Sequence, residues 1–146
     1  MNPQDVSTAA SALFEAEQNR QQIGLLSMNY PGMDMDDAYA VQSALVDMKR
    51  AAGRKVIGWK IGLTSKAMQY ALGIDIPDSG ILFDDMEFAH GTKVPAGHFI
   101  QPRIEAEIAF KVNGTLEGSV TREDVIAATE FVAPSIEILD TRILRA

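Results

Sequence analysis

In PRIEAEIAF, residues 102–110, Ile104, Ala106, Ile108 and Phe110 fall on one parity while Glu105 and Glu107 fall on the other. A period of two belongs to an extended strand, whose successive side chains leave opposite faces. An amphipathic helix would scatter this pattern around its axis. At a rise of ~3.3 Å per residue the two carboxylates stand roughly 6.5 Å apart on one surface. Water or a cation has to neutralise them.

The chain of 146 residues has the size of one domain, and 47% apolar residues suffice for a core. Thirteen Lys and Arg against 20 Asp and Glu give a net charge of -7, which repels phosphate backbones and argues against nucleic acid as a partner. With no cysteine, disulfides, zinc–thiolate sites and cysteine nucleophiles are excluded. The N-terminus lacks a basic start followed by an apolar run, and no stretch approaches the ~20 apolar residues of a membrane span. Cytoplasmic location and no membrane association are the default expectations. Asn113-Gly114-Thr115 reads as a tight turn rather than a glycosylation site.

Helical spacing dominates first. Asp5 to about Ser27 places Leu13, Ala16, Ile23 and Leu26 at helical intervals. Pro31 and Gly32 break the pattern, and Asp34 or Asp36 caps a second helix with Ala38, Val41, Leu45 and Met48 on one face, ended by Gly53. Strand-like segments follow: KVIGWKIGL, GILFDDM, RIEAEIAFKV and PSIEILD. TREDVIAATEF opens with a Thr121 and Asp124 capping box and predicts a third main helix. The whole reads as one α+β unit, a helical N-terminal region over 1–54 followed by a β-rich region over 55–146.

A phosphate loop is excluded, because Trp59 stands where the lysine after Gly58 is needed. His90 and His98 have no metalloprotease spacing and read as solvated loop residues. Between Asp75 and Glu107 lie Asp75, Asp78, Asp84, Asp85, Glu87, Glu105 and Glu107 against Lys93 and Arg103 alone. This is either a solvated face or a cation site. Glu137 alternates with Ile136 and Ile138 and points away from the face they bury; if its strand lies near Glu105 and Glu107, three carboxylates converge, with Asp140 as a substitute for Glu137. An all-oxygen set suits a hard divalent ion such as magnesium. Lys60 lies in an apolar, glycine-flanked strand and either snorkels, pairs with an acid, or stabilises an anionic substrate. Asp78, in PDSG, is a turn residue or a proton-transfer carboxylate.

NYPGMDMDDAYAVQ, GWKIGLTSKAMQ, PDSGILFDDM, PRIEAEIAF and PSIEILDTR together resemble, in order, the 2-oxo-acid hydratases and decarboxylases of aromatic meta-cleavage pathways, in the fumarylacetoacetate hydrolase superfamily. The resemblance implies a mixed, β-rich, barrel-like fold. It implies a metal site on Glu105, Glu107 and Glu137 for magnesium or manganese, catalytic roles for Lys60 and Asp78, and substrate contacts at Leu72 and Lys60. The implied reaction is addition of water to an unsaturated 2-oxo dicarboxylate, most closely 2-oxohept-3-ene-1,7-dioate. The alternatives are hydration of 2-hydroxypenta-2,4-dienoate, decarboxylation of 4-oxalocrotonate, or a non-catalytic fragment or partner subunit. Arg103 and Lys66 are candidates for the distal carboxylate. Members of the family run longer, so the sequence is expected to be truncated, and an open sheet with exposed apolar surface favours a homo-oligomer.

Overall fold

The computed structural model describes residues 1–144; the last two residues of the 55–146 region lie outside them. The chain divides into two compact units, Met1–His98 with the segment from Arg142, and Phe99–Thr141. Helices occupy the chain up to Ala51 and the first strand begins at Val56.

In the first unit, helix α1 spans Pro3–Asn19. It starts there because the Asn2 side chain accepts the Asp5 N–H at 2.8 Å and Pro3 has no N–H to leave unsatisfied. The single helix predicted to Ser27 stops early. Arg20 turns left-handed at φ 53°, its N–H folded back on the Ala16 and Glu17 carbonyls, and a separate turn, α2, forms at Leu26–Asn29. A long-range interaction competes with the local helix: Ile23 N–H donates to the Arg142 carbonyl at 2.9 Å, and Leu144 N–H donates to the Ile23 carbonyl at 2.8 Å. Helix α3, Met35–Ala51, carries the expected cap, a reciprocal box between Asp34 and Asp37.

Ala9 and Ala10 of α1 pack with Leu26 and Val41, and Leu13, Ile23, Leu45, Met48 and Ile143 close around them. Alanine at this contact lets the two helices approach closely. Ala38, expected on one face of α3 with Val41, Leu45 and Met48, is exposed. Lys49, 3% exposed, ion-pairs with Glu17, which also pairs with Arg142, and its ammonium lies 5.1 Å from the Phe83 ring centroid. The acid thus ties α1, α3 and the segment from Arg142 together.

Strands β1, Val56–Gly62, and β2, Asp78–Phe83, form an antiparallel ribbon. Between them lies helix α4, Lys66–Leu72, which the sequence reading did not anticipate. The predicted strand GILFDDM ends at Phe83, because Asp84–Met86 coil into one 3-10 turn. In the second unit β3, Arg103–Val112, pairs antiparallel with β4, Thr129–Leu139. Helix α5 is only Arg122–Ala127, with the Thr121 and Asp124 box in place. It gives way at Thr129 because pairing with β3 claims the backbone from there. Gly114 forms a bend leading into the loop before α5.

The apolar parity of the second ribbon is uncovered: Ile104 is 74%, Ile108 66%, Phe110 61% and Ile136 68% exposed. The two ribbons are separate two-stranded sheets among the described residues. No helix among them is long and apolar enough to cross a membrane.

The Glu17 interactions make a pH-dependent prediction. Burial opposes ionisation of Glu17, but Arg142 and Lys49 outweigh it and hold the carboxyl below its ordinary 4.5. A depressed carboxylate contributes stability that is present above the unfolded value and lost as pH falls through the folded one. Glu17→Gln leaves Lys49 buried without its acid and should cost about 3 kcal/mol at neutral pH. Urea unfolding followed by helical circular dichroism should show this gap closing below pH 4.5, the ordinary value of this carboxyl. A gap independent of pH would show that the charge pairing is not what stabilises the unit.

Candidate functional site

Two side-chain clusters emerge, one in each unit. On the second ribbon Glu105 faces Glu137 directly and Glu107 faces Ser135, so the period of two puts all three glutamates on one surface. One carboxylate oxygen from each can be chosen so that all lie within 4.8 Å of one another. Glu105 is exposed and Glu137 half-buried. Oxygens held at ~2.1 Å around an octahedral ion are separated by ~3.0 Å when adjacent and ~4.2 Å when opposite. Small rotations of flexible glutamates bring the observed spacing into that range. Three hard, anionic oxygens are a donor set suited to a divalent cation of the magnesium or calcium type.

Asp140, the alternative to Glu137, has another task. Its carboxylate accepts the Ile100 N–H at 2.9 Å and the Gln101 N–H at 2.7 Å. Because Arg103 pairs with Leu139, this closes the open end of the ribbon. Arg103 is exposed at the start of β3, on the parity of the glutamates.

On the first ribbon Lys60 faces Gly80, and Gly62 faces Asp78, which places lysine and aspartate diagonally on one face. The Asp78 Oδ1 atom is buried and has no hydrogen-bond partner among the described residues. A buried oxygen acceptor in that condition is costly and calls for a donor. Its strand is held from α3: Tyr39 Oη accepts the Ser79 N–H at 3.2 Å, and Gln42 Nε2 donates to the Ser79 carbonyl at 3.0 Å.

After β1 the chain turns through Leu63, a left-handed leucine at φ 53°, where a side chain is strained. The Gln69 amide, 4% exposed, fixes this turn by donating to the Leu63 carbonyl at 2.5 Å. Lys66 donates to the other end of that amide at 3.0 Å. Leu72 ends α4 next to Gly73, which is left-handed, and its side chain is exposed. His90 and His98 are both exposed, and the His98 ring meets Phe88 edge-on at 5.5 Å.

One ribbon aligns carboxylates in an all-oxygen donor set suited to a cation, and the other carries a lysine diagonal to an aspartate with one buried oxygen, groups able to balance charge and move a proton. Known proteins narrow this chemistry. The chain is 48% identical over 134 residues to 2-oxo-hept-4-ene-1,7-dioate hydratase of Escherichia coli, covering 91% of this chain and 50% of the relative. It is 42% identical over 144 residues to 2-keto-4-pentenoate hydratase of Paraburkholderia xenovorans, covering 98% and 54%. Its fold matches 4-oxalocrotonate decarboxylase from Pseudomonas putida G7, complexed with magnesium and adipate, at a TM-score of 0.92 and 35% identity over 98% of this chain and 55% of the other. No family model matches the sequence. The chain belongs to the 2-keto-4-pentenoate hydratase family and spans about half the length of the curated relatives it matches.

Like charges directly opposite on paired strands repel. With divalent cations chelated away, Glu105→Gln should therefore stabilise the protein by about 0.5 kcal/mol, measured as a raised melting temperature. Unchanged or lowered melting would mean that the carboxylates do not strain the ribbon.

Proposed function

We propose that the chain is part of a hydratase that adds water across the carbon–carbon double bond of an unsaturated 2-oxo dicarboxylic acid, of the 2-oxohept-3-ene-1,7-dioate type. The observation that carries this is the set of three glutamate oxygens within 4.8 Å, taken with 48% identity to a hydratase of a seven-carbon dioate. Glu105, Glu107 and Glu137 would hold magnesium, or manganese in its place. When bound, such a cation supplies Lewis-acid polarisation of a 2-oxo acid.

The remaining chemistry belongs to side chains of the first ribbon. The Lys60 ammonium balances negative charge growing on the 2-oxo oxygen or the neighbouring carboxylate. Asp78 takes a proton from the attacking water as its oxygen bonds to C4, and a proton is returned to C3. The product is a 4-hydroxy-2-oxo acid containing every atom of the substrate and one water. The buried Oδ1 of Asp78 supports this reading, since a water or substrate hydroxyl gives it the donor it lacks. Leu72, next to the left-handed Gly73, would offer backbone to the substrate, and Arg103 is the candidate for its distal carboxylate.

The uncovered apolar parity of β3 and β4, in a chain spanning about half the length of its relatives, supports a barrel-like closure in which further strands cover that face. Decarboxylation of 4-oxalocrotonate is the second reading, favoured by the fold match at a TM-score of 0.92.

In the complete protein, Glu107→Gln should lower magnesium-dependent kcat/KM on the order of 100-fold, followed as loss of dienoate absorbance. An unaffected rate would reject the metal role. Product analysis separates the two reactions: a hydroxylated product retaining every carbon supports hydration, and carbon dioxide release without hydroxylation overturns it.

A further inference from the structure

The first ribbon carries glycine at the two positions cross-strand from its lysine and aspartate. A methyl group at Gly62 would overlap Asp78 Oδ1, standing 3.1 Å from its Cγ and 3.0 Å from Lys60 Nζ. The ends of both side chains therefore converge over the bare backbone of Gly62. At Gly80 a methyl would lie 3.1 Å from Cγ and 3.3 Å from Cδ of Lys60, so the lysine stem crosses that glycine. Neither glycine is left-handed, so backbone conformation does not call for glycine at either position. What the missing side chains provide is room, as glycine within a strand does where another group must come close.

We propose that Gly62 and Gly80 are positioning residues: together they form a notch that fixes where the Asp78 carboxylate and the Lys60 ammonium present themselves to substrate. This rests on the roles given above to Lys60 and Asp78. The atoms a methyl would meet are the mobile end of an aspartate and the stem of a lysine rather than backbone. Substitution consequently displaces the functional groups while the ribbon stays paired. Gly58, on the same face of the same strand, is the internal control, because a methyl there finds nothing nearer than Leu82 Cδ1 at 4.0 Å.

The test is a kinetic double-mutant cycle in the complete protein, with circular dichroism and melting temperature recorded for each variant. Misplacing a reacting group by ~1 Å can cost on the order of 100-fold, so Gly62→Ala should lower kcat roughly 10- to 100-fold with KM nearly constant. Gly58→Ala should retain the rate of the parent protein. The decisive readout is non-additivity: Gly62→Ala combined with Asp78→Asn should lose less than the product of the two separate losses, since groups acting as one unit do not lose activity twice. Gly80→Ala, where the neighbour must give by only a few tenths of an ångström, repeats the cycle against Lys60→Met and serves if Gly62→Ala does not fold. Losses that multiply in both cycles, or a Gly62→Ala enzyme as fast as its parent while Asp78→Asn is impaired, would overturn the positioning role. If Asp78→Asn itself runs at the parent rate, the role of Asp78 falls first and the notch with it.

Discussion

Cross-strand register is the constraint on which everything else in this chain depends. Side chains alternate with period two, so a slip of one residue would carry every functional group to the opposite face. Glu105 meets Glu137, and Asp78 lies over Gly62, only in the pairing observed. The contacts that hold register are accordingly polar and local to the ribbon ends. Asp140 accepts two backbone N–H groups from the segment before β3, Asn113 N–H reaches the Ala128 carbonyl at the other end, and Tyr39 and Gln42 grip both backbone groups of Ser79. None of these residues is assigned chemistry in the proposed reaction.

Both clusters run against stability. Three carboxylates on one ribbon face repel, and a buried aspartate oxygen with no donor among the described residues is costly. Leu63 adds strain by taking a left-handed conformation, fixed through the buried Gln69 amide. In a marginally stable fold such costs persist where the surrounding structure over-determines the conformation, and here the carboxylate and aspartate costs fall on residues assigned chemistry in the proposed reaction. The first unit offsets them with Ala9, Ala10, Leu26 and Val41 in its core and with Lys49 and Arg142 converging on Glu17.

What was legible in the sequence is what short-range physics decides. Alternation in RIEAEIAFKV marked β3 and its acidic face, and Asp34 or Asp36 as a cap and the Thr121 and Asp124 box marked helix starts. Long-range partners were not legible. Helix α1 ends at Arg20, short of the expected Ser27, because Ile23 bonds to residues about 120 positions away. Helix α5 is short because β3 claims Thr129 onward. The convergence of Glu137 with Glu105 and Glu107 could be read only as a condition on which strands pair. The glycines of GWKIG carried a signal, since glycine inside a strand marks a close approach, but the approaching group is fixed by β2. Glu17, Lys49 and Gln69 gave no sign, because helical spacing does not distinguish a buried polar residue from a solvated one.

Parity also separates what the second ribbon can bind from what can cover it. Ile104, Ile108, Phe110 and Ile136 occupy one surface, and Glu105, Glu107 and Glu137 necessarily occupy the other. A contiguous apolar face of this kind is a surface that something else buries, and it can be buried completely without touching a carboxylate. Conversely, a solute can reach the glutamates without any rearrangement of whatever packs on the isoleucines. In the proposed reaction, a ribbon built this way keeps packing on one face and chemistry on the other. Substitutions at Ile108 or Ile136 should therefore act on folding and packing, whereas those at the glutamates should act on the cation site of the proposed function.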